Sequence, residues 1–229
     1  DWDLVMSITG EEGCGKSTLG MLLGALIDKR FNLKDNVAFL PDEKEIVREY
    51  TKLRKYQCYV IDEAIRALYK MTTMTQTLVR MWATERYQNK CTILIVPRFK
   101  DLTENFRNHR IKIWIHVLSR GKAVVYVRDD DPHTKDPWNF DAAFKYKIKA
   151  GRKQPIATMS LDRRLYIESK MKNYLFDFNF SDLPDDFKIQ YQNLKLESRG
   201  ELEKQEESKK EGKKSPKIQE LTLQRNKSI

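Results

Sequence analysis

Residues 10–18 read GEEGCGKST, and no other stretch constrains the fold of this chain as strongly. Before it lies LVMSIT, a short apolar run whose β-branched members predict a buried strand, and after it leucines recur at helical spacing. Glycines allow the backbone between such elements to curl until successive N–H groups point inward, and the free N–H groups that begin a helix attract anions. The stretch therefore predicts a strand, an anion-binding turn and a helix, in that order.

The same residues fit the phosphate-loop pattern G-x-x-x-x-G-K-[ST] without a mismatch, in the strand-and-helix context that the pattern requires. We expect the loop to bind a nucleotide, and a glycine turn formed by chance is the alternative. Lys16 would reach the terminal phosphates and assist catalysis, Ser17 would ligate Mg²⁺, and Thr18 would cap the helix or support the serine. The residues predicted to bind the nucleotide are Gly10, Gly13, Cys14, Gly15, Lys16, Ser17 and Thr18.

Apolar runs and helix-compatible segments alternate along the first half of the chain. Strands are predicted at residues 4–9, 37–40, 58–61 and 91–96, and helices at 16–30, 42–55 and 73–87, the last with Leu78, Met81, Trp82 and Tyr87 inward. Such alternation is typical of a mostly parallel sheet with helices on both faces. Residues 111–118 and 123–127 predict a hairpin that adds an antiparallel edge. The predicted fold class is α/β, a P-loop NTPase three-layer sandwich followed by C-terminal helices.

The pattern changes after residue 130, where aspartates and prolines indicate a loop. Helices are predicted at residues 161–175 and 185–196. From residue 199 onward apolar side chains are almost absent, which favours a solvated segment, either disordered or a frayed helix. We therefore expect a core of residues 1–130, a helical extension of residues 131–198, and a charged, disordered tail of residues 199–229.

An acidic pair ends the third predicted strand, in the sequence YVIDEA. Ligands of open α/β sheets bind at the carboxyl ends of strands, which is where Asp62 and Glu63 would lie. Asp62 would accept a hydrogen bond from Ser17 or from a water bound to Mg²⁺, and Glu63 would activate the attacking water as a general base. The alternative is a pair of acidic residues that simply begins a helix, where the helix dipole favours negative charge.

Three arginines after the fourth strand are candidate catalytic residues, because a planar guanidinium group suits phosphate and developing negative charge. Arg98 would lie where a sensor of the γ-phosphate is expected, and Arg98, Arg107 or Arg110 could act as an arginine finger within the subunit or across an interface. The alternative for each is surface ion pairing, with Asp101 and Glu104 nearby as partners.

Charge and cysteine content narrow the class of protein. The 229 residues include 43 Lys and Arg against 33 Asp and Glu, a formal net charge of +10, which is compatible with DNA as a partner and equally with a solubilising lysine-rich tail. Three well-separated cysteines favour reduced thiols without a disulfide framework or a zinc site. No run approaches the roughly 18 apolar residues of a membrane helix, so we expect a soluble, cytoplasmic protein.

The order of these parts resembles the FtsK/HerA-type P-loop ATPases, including zonula-occludens-toxin-like and viral DNA-packaging members. The resemblance spans residues 4–127 and rests on GEEGCGKST, YVIDEA, ATERYQNK and CTILIVPRFKDLTENFRNHRIKIWIHV. It implies an ATP-driven, ring-forming homo-oligomer that acts on DNA. Two features depart from that pattern: relatives commonly carry a glutamine where this chain reads VPRF, which leaves the sensor residue unassigned, and a long pore-loop domain is absent.

Two other functions fit the same motifs. A nucleoside or nucleotide kinase would use the phosphate loop together with a lid of clustered arginines, for which Arg107 and Arg110 are the candidates. A nucleotide-dependent assembly switch would bind the nucleotide without needing Glu63 for hydrolysis. The guanine-binding pattern N-K-x-D is not evident, which favours ATP over GTP as the bound nucleotide.

Overall fold

A computed structural model describes residues 3–39, 41, 43–64, 80–131, 133–150 and 155–212. Their centre is a seven-stranded sheet with the strand order β2-β3-β4-β1-β5-β6-β7. The strands are β1 (Leu4–Gly10), β2 (Val37–Phe39), β3 (Cys58–Asp62), β4 (Cys91–Ile95), β5 (Ile111–Ser119), β6 (Lys122–Val127) and β7 (Tyr174–Asn179). The four strands predicted in the first half of the chain and the hairpin are confirmed.

The first five strands of the chain are parallel, and the last two are antiparallel to their neighbours. The hairpin does add antiparallel pairing, but it does not form the edge of the sheet, because β5 lies beside β1 and β6 is covered by β7. The mostly parallel sheet with an antiparallel side is therefore confirmed, and the strand that forms its edge was not foreseen.

The helices around the sheet whose full bounds are described are α1 (Lys16–Ile27), α2 (Glu43–Lys52), α3 (Glu104–His109), α4 (Phe140–Ala150), α5 (Leu161–Glu168) and α6 (Asp185–Gly212). Helix α1 ends before the predicted residue 30 because Asp28 is in an extended conformation. Its buried carboxylate accepts hydrogen bonds from the backbone N–H groups of Arg30 and Cys58, which ties the end of the helix to the start of β3.

The helix predicted at residues 73–87 is described only in part, and Leu78 lies outside the described residues. Residues 80–84 are helical, and Met81 and Trp82 are buried as predicted. The prediction for Tyr87 is wrong, since 66% of this residue is exposed. The chain tightens into a 3₁₀ turn at Glu85–Gln88, which changes the angle between successive side chains and turns Tyr87 outward.

The prediction of a helix at residues 161–175 is wrong for the second half of this segment. Helix α5 ends at Glu168, and the chain returns as the strand Tyr174–Asn179, which pairs with β6. Pairing with the open side of β6 satisfies backbone groups that a longer helix would have left unpaired on that strand. The segment predicted as a helical extension thus supplies a strand of the sheet.

Helix α6 is 28 residues long and continues past the predicted end at residue 196. Residues 199–212, predicted to belong to a disordered tail, are helical, while residues 213–229 lie outside the described part. The division of the chain into a core, an extension and a tail stays a prediction.

Two apolar clusters cover opposite faces of the sheet, which confirms the three-layer arrangement. Successive residues of β4 alternate between them, with Ile93 and Ile95 on one side and Leu94 on the other. One face packs against α1 and α6, and the other against α2, residues 80–84 and α3. Of the helices in the described residues, none is long and apolar enough to cross a membrane.

Close packing of α1 on the sheet positions the loop that precedes it. A Cβ atom on Gly20 would lie 2.7 Å from Cδ1 of Ile95, so any other residue here would displace the side chain of Ile95. Helix α1 therefore starts directly beside the carboxyl ends of the central strands.

Candidate functional site

The glycine-rich loop turns tightly between β1 and α1. Gly15, the residue before the helix, has φ 98°, a left-handed conformation that side-chain-bearing residues rarely adopt. Gly10 has φ 151°, and a Cβ atom there would lie 2.7 Å from both the Val117 carbonyl oxygen and the Cys14 Sγ. The backbone therefore needs glycine at both positions, and the N–H groups of the first turn of α1 have no partner within the helix. These donors form a concave surface that suits phosphate oxygens.

The loop carries one cation, Lys16, together with the exposed carboxylates of Glu11 and Glu12. Lys16 Nζ donates to the carbonyl oxygens of Gly10, at 2.9 Å, and Glu11, at 2.6 Å, so its ammonium ion lies across the loop. Burial raises the pKa of the half-buried Cys14 thiol, which keeps that group neutral. Thr18 lines a small cavity of about 80 Å³ beside the loop, together with Phe180.

Ser17 and Asp62, the two residues predicted to bind Mg²⁺, are in contact with each other. The Ser17 hydroxyl donates to Asp62 Oδ1 at 3.0 Å, and the Asp62 side chain at the end of β3 is 1% exposed. A hydroxyl and a carboxylate are hard oxygen ligands, and Mg²⁺ commonly combines one or two of these with waters and substrate phosphates. Within the described residues no cluster of three or more His, Cys, Asp or Glu side chains could hold a metal. The chemistry of the loop and of this pair fits a magnesium–nucleotide complex.

Glu63 follows directly and has a strained backbone. Its φ is 55°, in the left-handed region that is unusual for a residue with a side chain, and strain of this kind clusters at functional sites. Its backbone N–H donates to Asp62 Oδ1 at 3.1 Å, which holds the two acidic residues in a fixed relation. The Glu63 side chain is 41% exposed, so water can reach the proposed base.

Helix α6 brings further side chains to this acidic pair that the sequence motifs did not indicate. The Tyr191 hydroxyl donates to Asp62 Oδ2 at 2.7 Å, and Lys195 Nζ lies 2.8 Å from the same oxygen. Lys195 also lies 3.1 Å from a Glu63 carboxylate oxygen, and Arg199 lies 3.7 Å from it. The only sequence signal is their four-residue spacing on one helix face, which is common in solvent-exposed helices as well.

The titration behaviour of α6 reflects these contacts. Burial, followed by the nearby Asp62 charge, raises the pKa of Tyr191 to about 12. Burial opposes the charged form of Lys195, but the Asp62 carboxylate outweighs it, so the pKa of Lys195 is raised. Lys195 is therefore an ammonium ion that faces the acidic pair.

The threonine before the loop is held by side chains of β5. Trp114 Nε1 donates to Thr9 Oγ1 at 2.7 Å, and this oxygen lies 2.9 Å from His116 Nδ1. This hydroxyl keeps a proton and a second lone pair, so the direction of its hydrogen bond with His116 Nδ1 depends on the tautomer of the imidazole. Burial lowers the pKa of His116 to about 4, so the imidazole is neutral near pH 7. His116, which belongs to no motif, thus supports the strand end from which the loop departs.

The candidate arginines do not gather around the loop. Arg98 follows β4, is 80% exposed and pairs with Asp101 at 3.0 Å, which is the surface ion pairing considered as the alternative. Arg107 donates to the carbonyl oxygens of Lys100 and Leu102. Burial lowers the pKa of Arg107. Its guanidinium group therefore takes part in the packing of its own turn.

Arg110 lies at the amino ends of the strands, whereas the loop lies at their carboxyl ends. It directly precedes β5, whose first residue Ile111 pairs with Val5 near the start of β1. Because β1 and β5 are parallel, the start of both strands is separated from the loop by the full length of β1. Arg110 therefore cannot contact a nucleotide bound to the loop of its own subunit.

The chain has no match among protein-family models and no significant match among curated proteins. Among solved structures it is similar to the N-terminal domain of zonular occludens toxin from Neisseria meningitidis, with 16% identity and a TM-score of 0.36 over 58% of this chain and 88% of that chain. It is also similar to the DNA-packaging ATPase from Sulfolobus Turreted Icosahedral Virus, with 14% identity and a TM-score of 0.41 over 55% and 93% of the two chains.

A third similar structure is the genome packaging NTPase from Sulfolobus turreted icosahedral virus 2 in complex with ATP-gammaS, with 13% identity and a TM-score of 0.39 over 55% of this chain and 92% of that chain. The resemblance noted in the sequence to the zonula-occludens-toxin-like and viral packaging proteins thus agrees with these structural similarities. Identities and TM-scores this low carry no information on activity, which we infer from the residues of this chain.

Proposed function

We propose that the protein is a magnesium-dependent ATPase. The observation that carries this proposal is the contact between Ser17 and Asp62 at the start of α1, directly after a loop whose backbone requires glycine at positions 10 and 15. The adjacent Glu63 supplies a carboxylate that water can reach. A loop that only turned the chain would not require a buried aspartate and a serine hydroxyl to meet at its end.

Each side chain has a role in this proposal. The loop N–H groups and Lys16 bind and orient the phosphates, and Lys16 offsets negative charge that develops during transfer. Ser17 and Asp62 would hold Mg²⁺, which supplies charge neutralisation between the outer phosphates. Glu63 accepts a proton from the attacking water, so hydrolysis requires the carboxylate to be free of cationic partners.

We further propose that this ATPase works as a homo-oligomeric motor on DNA. The net charge of +10 favours a polyanionic partner, and the sequence resemblance implies the same class. Arg110 lies at the opposite end of the strands from the loop, and Arg107 donates to carbonyl oxygens of its own turn. Neither residue is therefore placed to act as an arginine finger within the subunit. Arg98 is exposed at the carboxyl end of β4, where it is accessible to a neighbouring subunit.

The proposal is tested by ATP turnover with and without single- and double-stranded DNA, together with the molecular mass in the presence of ATP. We expect DNA to accelerate turnover, and Glu63→Gln to reduce turnover by roughly 10²–10⁴-fold while nucleotide binding is kept, as for loss of a general base. Slow hydrolysis at a rate that DNA never changes would refute the motor, and absence of ATP binding would refute the ATPase.

A nucleotide-dependent assembly switch is the second candidate, and one observation favours it. Glu63 is paired with Lys195 and Arg199 in this structure, and a carboxylate held by two cations is a poor base. A Glu63→Gln variant that assembles normally with ATP and retains full activity in the host would favour the switch over the ATPase. The kinase alternative predicted a lid of clustered arginines over the loop. Arg107 and Arg110 do not lie together at the loop, so they do not support it.

A further inference from the structure

Helix α6 presents one face to the acidic pair at the end of β3. Tyr191, Lys195 and Arg199 follow one another at intervals of four residues and contact Asp62 or Glu63. The Lys195 side chain is 19% exposed, so its ammonium ion has left much of its hydration and is held by the two carboxylates. These contacts belong to the residues that the proposed function assigns to metal and water.

Asp62 has no accepting position left in this arrangement. Its Oδ1 accepts from the Ser17 hydroxyl and the Glu63 backbone N–H, and its Oδ2 accepts from Tyr191 and Lys195. An ionised carboxylate offers about four lone-pair sites, and all of them are used. Asp62 therefore cannot hold a metal ion or a metal-bound water until one of these donors leaves.

Charge identifies the donor that must leave. Ser17 is itself a predicted ligand and the Glu63 N–H is part of the backbone, so both stay beside Asp62. Lys195 is a cation, and a cation on Oδ2 repels a divalent ion at the same carboxylate in this poorly hydrated position. Lys195 and Mg²⁺ therefore exclude each other at Asp62.

The way α6 is attached shows which part of it can move. Its first half packs on the sheet through Phe187, Tyr191 and Leu194, and the Tyr191 ring lies 5.5 Å from that of Phe39. Among the described side chains of α6, Leu194 is the last that packs on the apolar cluster, and Leu196 is 64% exposed. Beyond Leu194 the contacts of the helix with the acidic pair are ionic.

We propose that α6 is a latch on the magnesium side of the nucleotide site. With no metal bound, Lys195 and Arg199 neutralise Asp62 and Glu63 and hold the second half of the helix against the site. When the metal–nucleotide complex forms, Lys195 leaves Asp62, Glu63 loses its cationic partners and becomes available as a base, and residues 195–212 are released from the site. This inference rests on the proposed nucleotide site and adds the means by which its occupancy is transmitted to the end of the chain.

The first test measures the Mg²⁺ concentration needed for binding of a fluorescent, non-hydrolysable ATP analogue to the full chain. In Lys195→Met the competing ammonium ion is gone, so we expect the half-maximal Mg²⁺ concentration to fall about tenfold, the size typical of losing a hydrogen bond to a charged group. Tyr191→Phe removes a neutral donor from the same oxygen and should give a smaller shift in the same direction. Without Mg²⁺, with a chelator present, Lys195→Met should bind the analogue no more tightly than the unaltered protein.

Lys188→Met is the matched control. Lys188 lies on the same helix and pairs with Asp182 at 2.8 Å, so this change removes the same charge away from the acidic pair. Its Mg²⁺ requirement should equal that of the unaltered protein. A common shift in both lysine variants would show an effect of net charge and would overturn the latch.

The second test follows amide hydrogen exchange along α6. With Mg²⁺ and the analogue, residues 195–204 should exchange faster than in the free protein, while residues 185–194, held by apolar packing, should not change. In Lys195→Met the first of these segments should already exchange faster without nucleotide. The two segments of one helix thus serve as test and internal reference.

The outcomes separate the latch from the proposed function. If the analogue binds but neither the Mg²⁺ requirement nor the exchange of residues 195–204 differs between the unaltered protein and Lys195→Met, the latch is wrong and the nucleotide site stands. If Lys195→Met loses turnover with an unchanged Mg²⁺ requirement, Lys195 is a positioning residue and not a latch. If no variant and no condition gives binding of the analogue, the nucleotide site itself is refuted.

Discussion

Among single residues, Asp62 combines the greatest burial with the largest number of contacts in the site. It is 1% exposed, accepts four hydrogen bonds and lies between the loop on one side and α6 on the other. A buried carboxylate is unfavourable unless it is paired and hydrogen-bonded, and here both conditions are met. This residue therefore joins the proposed magnesium site to the position of the last helix.

His116 shows a different use of a polar side chain, since it supports the loop in its neutral form. Protonation would place a charge on a buried imidazole, and burial disfavours the charged form. Its pKa is about 4 in the folded protein against an ordinary value near 6.5. The unfolded chain therefore binds more protons at this residue between these two pH values, so the stabilisation is complete above pH 6.5 and is lost as the pH falls toward 4.

We predict that His116→Gln makes the free energy of unfolding less sensitive to pH between 6.5 and 4, by about 3 kcal/mol across that range. Urea denaturation at several pH values measures this difference. His133→Gln is the control, because it makes the same replacement at an exposed histidine. Equal pH profiles for His116→Gln and the unaltered protein would show that His116 does not titrate in this way.

At the scale of elements, α1 and α6 share one face of the sheet but are held by different forces. Helix α1 lies so close to β4 that a Cβ atom on Gly20 would displace the side chain of Ile95. Helix α6 is held by apolar contacts as far as Leu194 and by ionic contacts with the acidic pair beyond it. The loop is thus mounted on a rigid element, and the acidic pair is covered by an element whose second half can be released.

Glycine substitutions in the two helices test this contrast. Gly20→Ala should destabilise the protein by about 1–3 kcal/mol, because overpacking against Ile95 exceeds the helix-propensity gain of up to about 1 kcal/mol. Gly200→Ala in α6 meets no atom within 4 Å, so it should be neutral or stabilise the fold by up to about 1 kcal/mol. Chemical denaturation measures both values, and a destabilising Gly200→Ala would contradict a helix at this position.

For the whole molecule, the proposed homo-oligomer would allow an arginine of one copy to complete the site of another. Arg98 is exposed after β4, whereas Arg107 and Arg110 are engaged elsewhere in the fold. Arginine fingers supplied by a neighbouring subunit are worth about 10³–10⁵-fold in turnover, so an exposed arginine at this edge has a large effect if an oligomer forms. The pairing of Arg98 with Asp101 is a surface contact of little energy and does not prevent such a role.

Mixing two inactive variants tests this arrangement. Lys16→Ala should not bind nucleotide productively, and Arg98→Ala should bind it but turn over slowly. In mixed oligomers an Arg98→Ala subunit receives an intact arginine from a Lys16→Ala neighbour, so we expect ATP turnover to reappear. A mixture of Lys16→Ala with Glu63→Gln should stay inactive, because neither subunit then has a complete loop and base. No recovery in the first mixture would exclude Arg98 as a finger across the interface.

Most of the site near the loop could be predicted from short segments. GEEGCGKST and YVIDEA each place their chemistry on contiguous residues, and the strand before and the helix after the loop have clear apolar patterns. Contacts along a few residues depend on local geometry, which residue type and spacing describe well. The predicted proximity of Ser17 to Asp62 followed from the rule that parallel strands present their carboxyl ends together.

The remaining features required contacts between distant parts of the chain. Residues 174–179 became a strand because the open side of β6 was available, and 129 and 133 positions separate Tyr191 and Lys195 from Asp62. Neither strand pairing at an edge nor an ionic contact on a charged helix leaves a local pattern of its own. The loop and the acidic pair can thus be recognised from neighbouring residues in the sequence. The contacts of α6 with Asp62 and Glu63 depend instead on how the folded chain brings remote charges together, because those charges have partners only after folding.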